Sequence, residues 1–232
     1  MTLFRHLHGK PRYLSILVVL ALATSLVRAP LSLAGEFALS KQILTKIEKQ
    51  YGDYARRRLV SWRNLINNHQ QLNDLEKLQK VNEFFNSLEF VNDIDLWGKE
   101  DYWATPLQML ASNGGDCEDF SIAKYFTLRE LGIPAERLRL TYVKALKLDQ
   151  AHMVLTYFPT PDAVPLVLDN LVSEISNATD RQDLLPVYSF NGSGLWLAKA
   201  RGVEKRVGRS ERLSRWQEVI ARIDEEQVPL SR

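Results

Sequence analysis

Gly114-Gly115-Asp116-Cys117-Glu118-Asp119-Phe120 is the stretch on which the fold and chemistry of this chain turn. The two glycines interrupt a run of helical spacing and allow close backbone approach that a side chain would block. Asp116 has an N-cap side chain, so a helix is expected from 117 to about 131, stopped by Gly132 and Pro134. The single cysteine of the chain therefore falls in the first turn of a helix. Unpaired N–H groups and the helix dipole favour a thiolate there.

Upstream, apolar residues recur at helical spacing: Leu39, Ile43, Ile47 and Tyr51, then Tyr54, Leu59, Trp62, Leu65 and Ile66, with Gly52-Asp53 between the two runs. A further helix fits 74–90, with Leu75, Leu78, Val81, Phe84, Phe85 and Leu88 on one stripe. Downstream the period changes. Residues 139–146, 153–158, 165–168, 187–190 and 195–200 read as short strands, the last two joined by the turn Asn191-Gly192-Ser193-Gly194. A charged amphipathic helix over 209–226 carries Leu213, Trp216, Ile220 and Ile223 and should pack one face on the domain. Helices first and strands after make an α+β domain, a helical N-terminal part on an antiparallel β-sheet.

A formal charge of +2 on 232 residues gives no electrostatic reason for nucleic acid as partner. Residues 1–34 look like an export signal: Arg5, Lys10 and Arg12 precede an apolar core of about a dozen residues, short of the roughly 20 that span a bilayer. Ser32-Leu33-Ala34 suits cleavage before Gly35, leaving a working domain of 35–232; an uncleaved anchor is the alternative. In either case the domain is expected outside the cytoplasm. With one cysteine it has no internal disulfide, and a free thiol there is a hazard.

A lone cysteine is more often an inert, buried small side chain than a nucleophile. The glycines, the helix start and the flanking Asp116, Glu118 and Asp119 set Cys117 apart from that pattern. The acids raise their own objection, because three carboxylates beside a thiol oppose its ionisation. A helix N-terminus offsets only about 1 kcal/mol of that. Either the acids turn away as caps, or a histidine or a hard cation such as calcium neutralises them. Of the four histidines, His152 alone opens an expected strand, and the next apolar run ends in Asp169-Asn170. Adjacent strands would place His152 beside Asp169, with the helix of Cys117 against them.

Cys, His and Asp in this order resemble the papain/transglutaminase-like thiol enzymes. Gly114-Gly115-Asp116-Cys117-Glu118-Asp119, Ala151-His152-Met153-Val154-Leu155 and Leu168-Asp169-Asn170 resemble, more closely, the bacterial transglutaminase-like cysteine proteases of the LapG type. Tyr102-Trp103-Ala104-Thr105-Pro106 is similar to that family's approach to the active site. The resemblance implies Cys117 as nucleophile, His152 as proton carrier and Asp169 as its orienting partner. It implies a calcium ion on Asp116, Glu118 and Asp119, and the Cys117 N–H in the oxyanion hole. Trp103 is either a contributor to the pocket wall or oxyanion hole, or a packing aromatic. The resemblance further implies a periplasmic endopeptidase that cuts a large biofilm adhesin near its N-terminus at a paired-alanine site. Its implied restraint is the periplasmic domain of an inner-membrane cyclic di-GMP receptor. Acyl transfer to an amine is a second reading of the same trio, and a non-catalytic binding module a third.

Overall fold

In the computed structural model, residues 36–198 and 204–231 are described. The expected export signal over 1–34, with His6 and His8, and the last two residues of the strand expected over 195–200 lie outside the described residues. The helices are α1 (Lys41–Tyr51), α2 (Asp53–Asn68), α3 (Asp74–Asn86), α4 (Asp93–Trp97), α5 (Pro106–Ser112), α6 (Cys117–Glu130) and α7 (Ser214–Glu226). The strands β3 (Leu138–Ala145), β4 (Gln150–Tyr157), β5 (Leu166–Leu168), β6 (Ser176–Asn177), β7 (Leu184–Phe190), β8 (Leu195–Ala198) and β9 (Glu204–Gly208) form one sheet in the order β6-β5-β4-β3-β7-β8-β9. Every pairing in it is antiparallel. The architecture is α+β, with α6 packed against β4 and β3.

Helix α6 is buried along nearly its whole length because α3 and α5 cover what the sheet does not. Phe120, Ile122, Ala123, Phe126 and Leu128 fill that interior, and Trp62 of α2 reaches it to donate its indole N–H to Thr127 Oγ1 at 2.8 Å. Helix α7 packs Trp216, Val219 and Ile223 inward, with Trp216 stacked on Phe126 at 5.6 Å. Among the described residues no helix is long and apolar enough to cross a membrane.

Several expected bounds move. The helix expected over 74–90 ends at Asn86, and Glu89–Phe90 becomes a short strand, β1, running parallel to β2 (Gly114–Gly115). The glycines thus break the helix by pairing as a strand, and a Cβ on Gly114 would sit 2.6 Å from the Glu89 carbonyl oxygen. Tyr51, Tyr54 and Leu75, expected on the apolar faces of their helices, are exposed. Strand β4 begins at Gln150, which puts His152 inside the strand instead of just before it. The helix expected over 209–226 starts at Ser214, after a 3-10 turn at Ser210–Arg212. The turn 191–194 forms as expected, with the Asn191 side-chain oxygen accepting from the Ser193 and Gly194 N–H groups.

Trp62 and Thr127 are fully buried and hold one another's polar atoms. Trp62→Phe and Thr127→Val should each cost about 1–3 kcal/mol in urea unfolding, because each leaves a buried group unpaired or a ring poorly packed. The double variant should lose less than the sum. Strict additivity would show that the bond contributes nothing.

Candidate active site and acidic cluster

Cys117 opens α6, directly after β2, so the parallel pairing of β1 with β2 sets where the thiol stands. The sulfur is half-buried and donates to Glu118 Oε2 at 3.1 Å. Burial, then the charge of Glu118 and its hydrogen bond, then the charge of Asp116, push the thiol well above its ordinary value. The Met153 N–H opposes this by favouring the thiolate. Ser121, one turn along the helix, donates to the Met153 carbonyl at 3.1 Å and fixes α6 on β4 beside the residue that follows His152.

His152 and Asp169 are 3% and 1% exposed, and His152 Nε2 lies 2.8 Å from Asp169 Oδ1. Asp169 stands one residue past the end of β5, the neighbour of β4, which is how two strands join residues distant in sequence. Burial alone would raise the Asp169 carboxyl, but hydrogen bonds from His152, the Leu171 N–H and Arg181 hold it down at about 2. The imidazole is bonded through Nε2, which leaves Nδ1 as the nitrogen available to a second partner. The hydrogen bond that the thiol makes goes to Glu118, and the one that the imidazole makes goes to Asp169.

The three acids expected to share one ion do not come together as one set. Asp116 groups with Cys117 and Glu118 on one side, and with Asp93 and Asp119 on the other. Asp116 is the N-cap and Asp119 the third helical residue, so their side chains face each other, and the Asp116 N–H donates to Asp119 Oδ2 at 3.3 Å. Glu118 faces the thiol and is hydrogen-bonded to the Asp116 side chain as well, so Asp116 stands between the two groups. Asp93 had drawn no notice in the sequence. It opens α4, three residues past β1, and reaches the cluster only because β1 pairs with β2. The readable part of the signal was the Asp116-x-x-Asp119 spacing of a capping box.

Asp93 and Asp119 are held by a loop. The Tyr102 N–H donates to Asp93 Oδ2, and the Ala104 N–H donates to Asp119 Oδ1 at 2.6 Å. Helix α7 clamps the same loop from its other side: Arg215 pairs with Asp101 at 3.1 Å, Arg222 donates to the Trp103 carbonyl, and Thr105 donates to the Glu226 carboxylate at 2.7–2.8 Å. Trp103 is buried, stacks on Phe190 at 5.7 Å and gives its indole N–H to Asp101 at 2.9 Å, as a packing aromatic does.

Burial first, then the charge of Asp116, pushes Asp93 up to about 6 and raises Asp119; burial first, then the charge of Glu118, pushes Asp116 up to about 8. Asp93 Oδ1 and Asp116 Oδ1 are buried with no hydrogen-bond partner among the described residues. Carboxylate oxygens within 4.8 Å of one another, two of them unsatisfied, are the donor set of a hard divalent cation.

The family profile described as bacterial transglutaminase-like cysteine proteinase BTLCP matches residues 56–191. The structure of calcium-bound LapG of Legionella pneumophila aligns with 43% identity over 80% of this chain and 99% of that one, at a TM-score of 0.69. EGTA-treated LapG of the same organism aligns with 44% identity over 78% and 97%, at 0.67. No curated protein matches the chain.

Gly115 leaves room for the cluster: a Cβ there would lie 2.4 Å from Asp119 Oδ2 and 2.7 Å from Asp119 Cβ. The second contact is with the root of the side chain, which cannot swing away without backbone movement. Gly115→Ala should therefore destabilise the fold by about 1–3 kcal/mol in urea unfolding. A variant as stable as the parent would mean that Asp119 is not confined.

Proposed function

The chain belongs to the bacterial transglutaminase-like cysteine proteinases, with their papain/transglutaminase-like α+β fold, and from that premise we propose that it is a calcium-dependent periplasmic endopeptidase using Cys117, His152 and Asp169. The observation that carries the triad is the buried 2.8 Å bond between His152 Nε2 and Asp169 Oδ1, beside the helix that begins at Cys117.

In this reading the Cys117 side chain turns from Glu118 toward Nδ1 of His152, which takes the thiol proton. The thiolate then attacks the scissile carbonyl carbon. The oxyanion forms next to the Cys117 backbone N–H, at a helix start where such groups lack an intrahelical acceptor. Collapse of the tetrahedral intermediate breaks the C–N bond, and His152 returns the proton to the departing amine. Water, deprotonated by His152, resolves the thioester and regenerates the thiol. Asp169 keeps the ring oriented and stabilises its cationic form.

Asp93, Asp116 and Asp119 would hold calcium, a set that takes Asp93 in place of the Glu118 expected from sequence. The two unpartnered carboxylate oxygens support this assignment, as does the calcium-bound state of the similar LapG. Bound calcium supplies positive charge against the acids that hold the thiol protonated. Glu118 is then the acid that faces the thiol and keeps it hydrogen-bonded.

The proposed substrate is a large cell-surface adhesin, cut near its N-terminus at a paired-alanine site to release cells from a biofilm. The proposed restraint is the periplasmic domain of a cyclic di-GMP receptor. Both rest on the resemblance of 114–119, 151–155 and 168–170 to the LapG type. Acyl transfer to an amine remains a distinguishable second chemistry.

A purified N-terminal fragment of the adhesin should be cut into two pieces by the parent and left whole by Cys117→Ala, with no loss of folded structure in the variant. Cross-linked or amine-labelled fragment would mean transfer instead of hydrolysis, and cleavage by Cys117→Ala would remove the mechanism. A chelator should stop the cutting and added calcium should restore it. Full activity in metal-free buffer would refute the calcium assignment.

A further inference from the structure

Asp169 is held by more than the histidine it faces. Its Oδ1 accepts from both His152 Nε2 at 2.8 Å and the Leu171 N–H at 3.0 Å. Its Oδ2 accepts from Arg181 Nη2 at 2.8 Å. The same guanidinium grips a second carboxylate, with Nε to Asp183 Oδ1 at 3.0 Å and Nη2 to Asp183 Oδ2 at 2.9 Å. Arg181 is 7% exposed, so this fork operates largely out of water. A planar guanidinium engaged on two carboxylates fixes direction as well as charge.

The backbone that presents Arg181 is itself fastened to the sheet. Ala178, which begins the 3-10 turn Ala178–Asp180, donates to the carbonyl of Pro165, the residue before β5, at 2.9 Å. The Arg181 N–H returns to Ala178 at 3.3 Å, and the Leu184 N–H, opening β7, bonds the Arg181 carbonyl at 3.0 Å. Lys124 of α6 also lies close enough to interact with Asp169, but burial lowers its ammonium to about 7 and it has no hydrogen-bond partner among the described residues. Lys124 therefore gives Asp169 no fixed direction, whereas the Arg181 fork does.

We propose that Arg181 is a positioning residue: anchored on Asp183, it fixes Asp169 Oδ2 so that Oδ1 stays turned to His152 Nε2 and the ring presents Nδ1 to Cys117. This rests on the triad reading given above. Without the guanidinium, Oδ2 loses its donor, and the carboxylate is free to rotate about its terminal bond. The imidazole then loses the fixed acceptor that sets its tautomer and orientation.

The test is the rate constant for acylation of Cys117 by p-nitrophenyl acetate, in the full chain with calcium present. Rates are expressed per folded molecule, with the folded fraction taken from urea unfolding followed by tryptophan fluorescence. Arg181→Gln should lower the maximal rate about 10- to 100-fold, the range seen when the support of a working side chain is removed, with the half-saturating ester concentration unchanged. Arg181→Lys should recover part of the loss, because an ammonium restores the charge but not the fork. Asp183→Asn should lower the rate by a smaller factor. Asp169→Asn, run beside them, should lower it most, and Arg181→Gln added to Asp169→Asn should cause no further loss, since the two act through one contact.

If Asp169→Asn keeps the parental rate, the triad reading itself falls. If Asp169→Asn slows acylation and Arg181→Gln does not, the triad stands and the positioning role is overturned. The role is equally overturned if the Arg181→Gln loss lies wholly in a smaller folded fraction, or if it multiplies with the Asp169→Asn loss in the double variant.

Discussion

Carboxylates packed around the first turn of one helix are the constraint to which the rest of this molecule answers. Asp93, Glu118 and Asp119 are buried, Asp116 is partly so, and Cys117 sits among them. Two unit charges 4.8 Å apart repel by roughly 3 kcal/mol at an effective dielectric near 20, before any desolvation is counted. A fold does not carry such a group unless protons or a cation balance it. Orphaned oxygens on Asp93 and Asp116 favour the cation, because a protonated carboxyl would still seek an acceptor.

Two supports meet at that turn. From one side comes the 101–105 loop, whose N–H groups bond Asp93 and Asp119 and whose far side is clamped by α7. The C-terminal helix, expected from sequence to pack one face on the domain, thereby reaches the acidic cluster through one layer of backbone. From the other side comes the sheet, where β4 and β5 join His152 to Asp169 and Arg181 braces the pair. Cys117 stands at the seam, so its ionisation answers to the acids while the proton acceptor proposed for it, His152, belongs to the sheet.

Local chemistry made much of this legible. The helix start at Cys117 followed from Asp116 and the glycines, and the 191–194 turn followed from an Asn-Gly-Ser-Gly run whose side chain caps its own backbone. The strands bearing His152 and the approach to Asp169 showed their period. Features made by long-range pairing were illegible. Strands of two residues, such as β1, β2 and β6, carry no periodicity, and β1 with β2 is what brings Asp93 to the cluster. Arg181 lies in a connection with no pattern, and only the fold gives its charge a partner. The division of the acids was illegible too: residues three apart on a helix share a face, which sets Asp119 beside Asp116 and Asp93, while Glu118 meets Asp116 beside the thiol.

Calcium, in this account, makes the thiol reactive by offsetting the acids that oppose its ionisation, and does not touch the substrate. The most direct test is the rate at which iodoacetamide alkylates Cys117 as a function of pH, with calcium and with chelator, in protein shown to be folded in both. The account predicts that the midpoint of reactivity lies markedly lower with calcium, and that Asp93→Asn erases the difference. Superimposable pH profiles with and without calcium would contradict it.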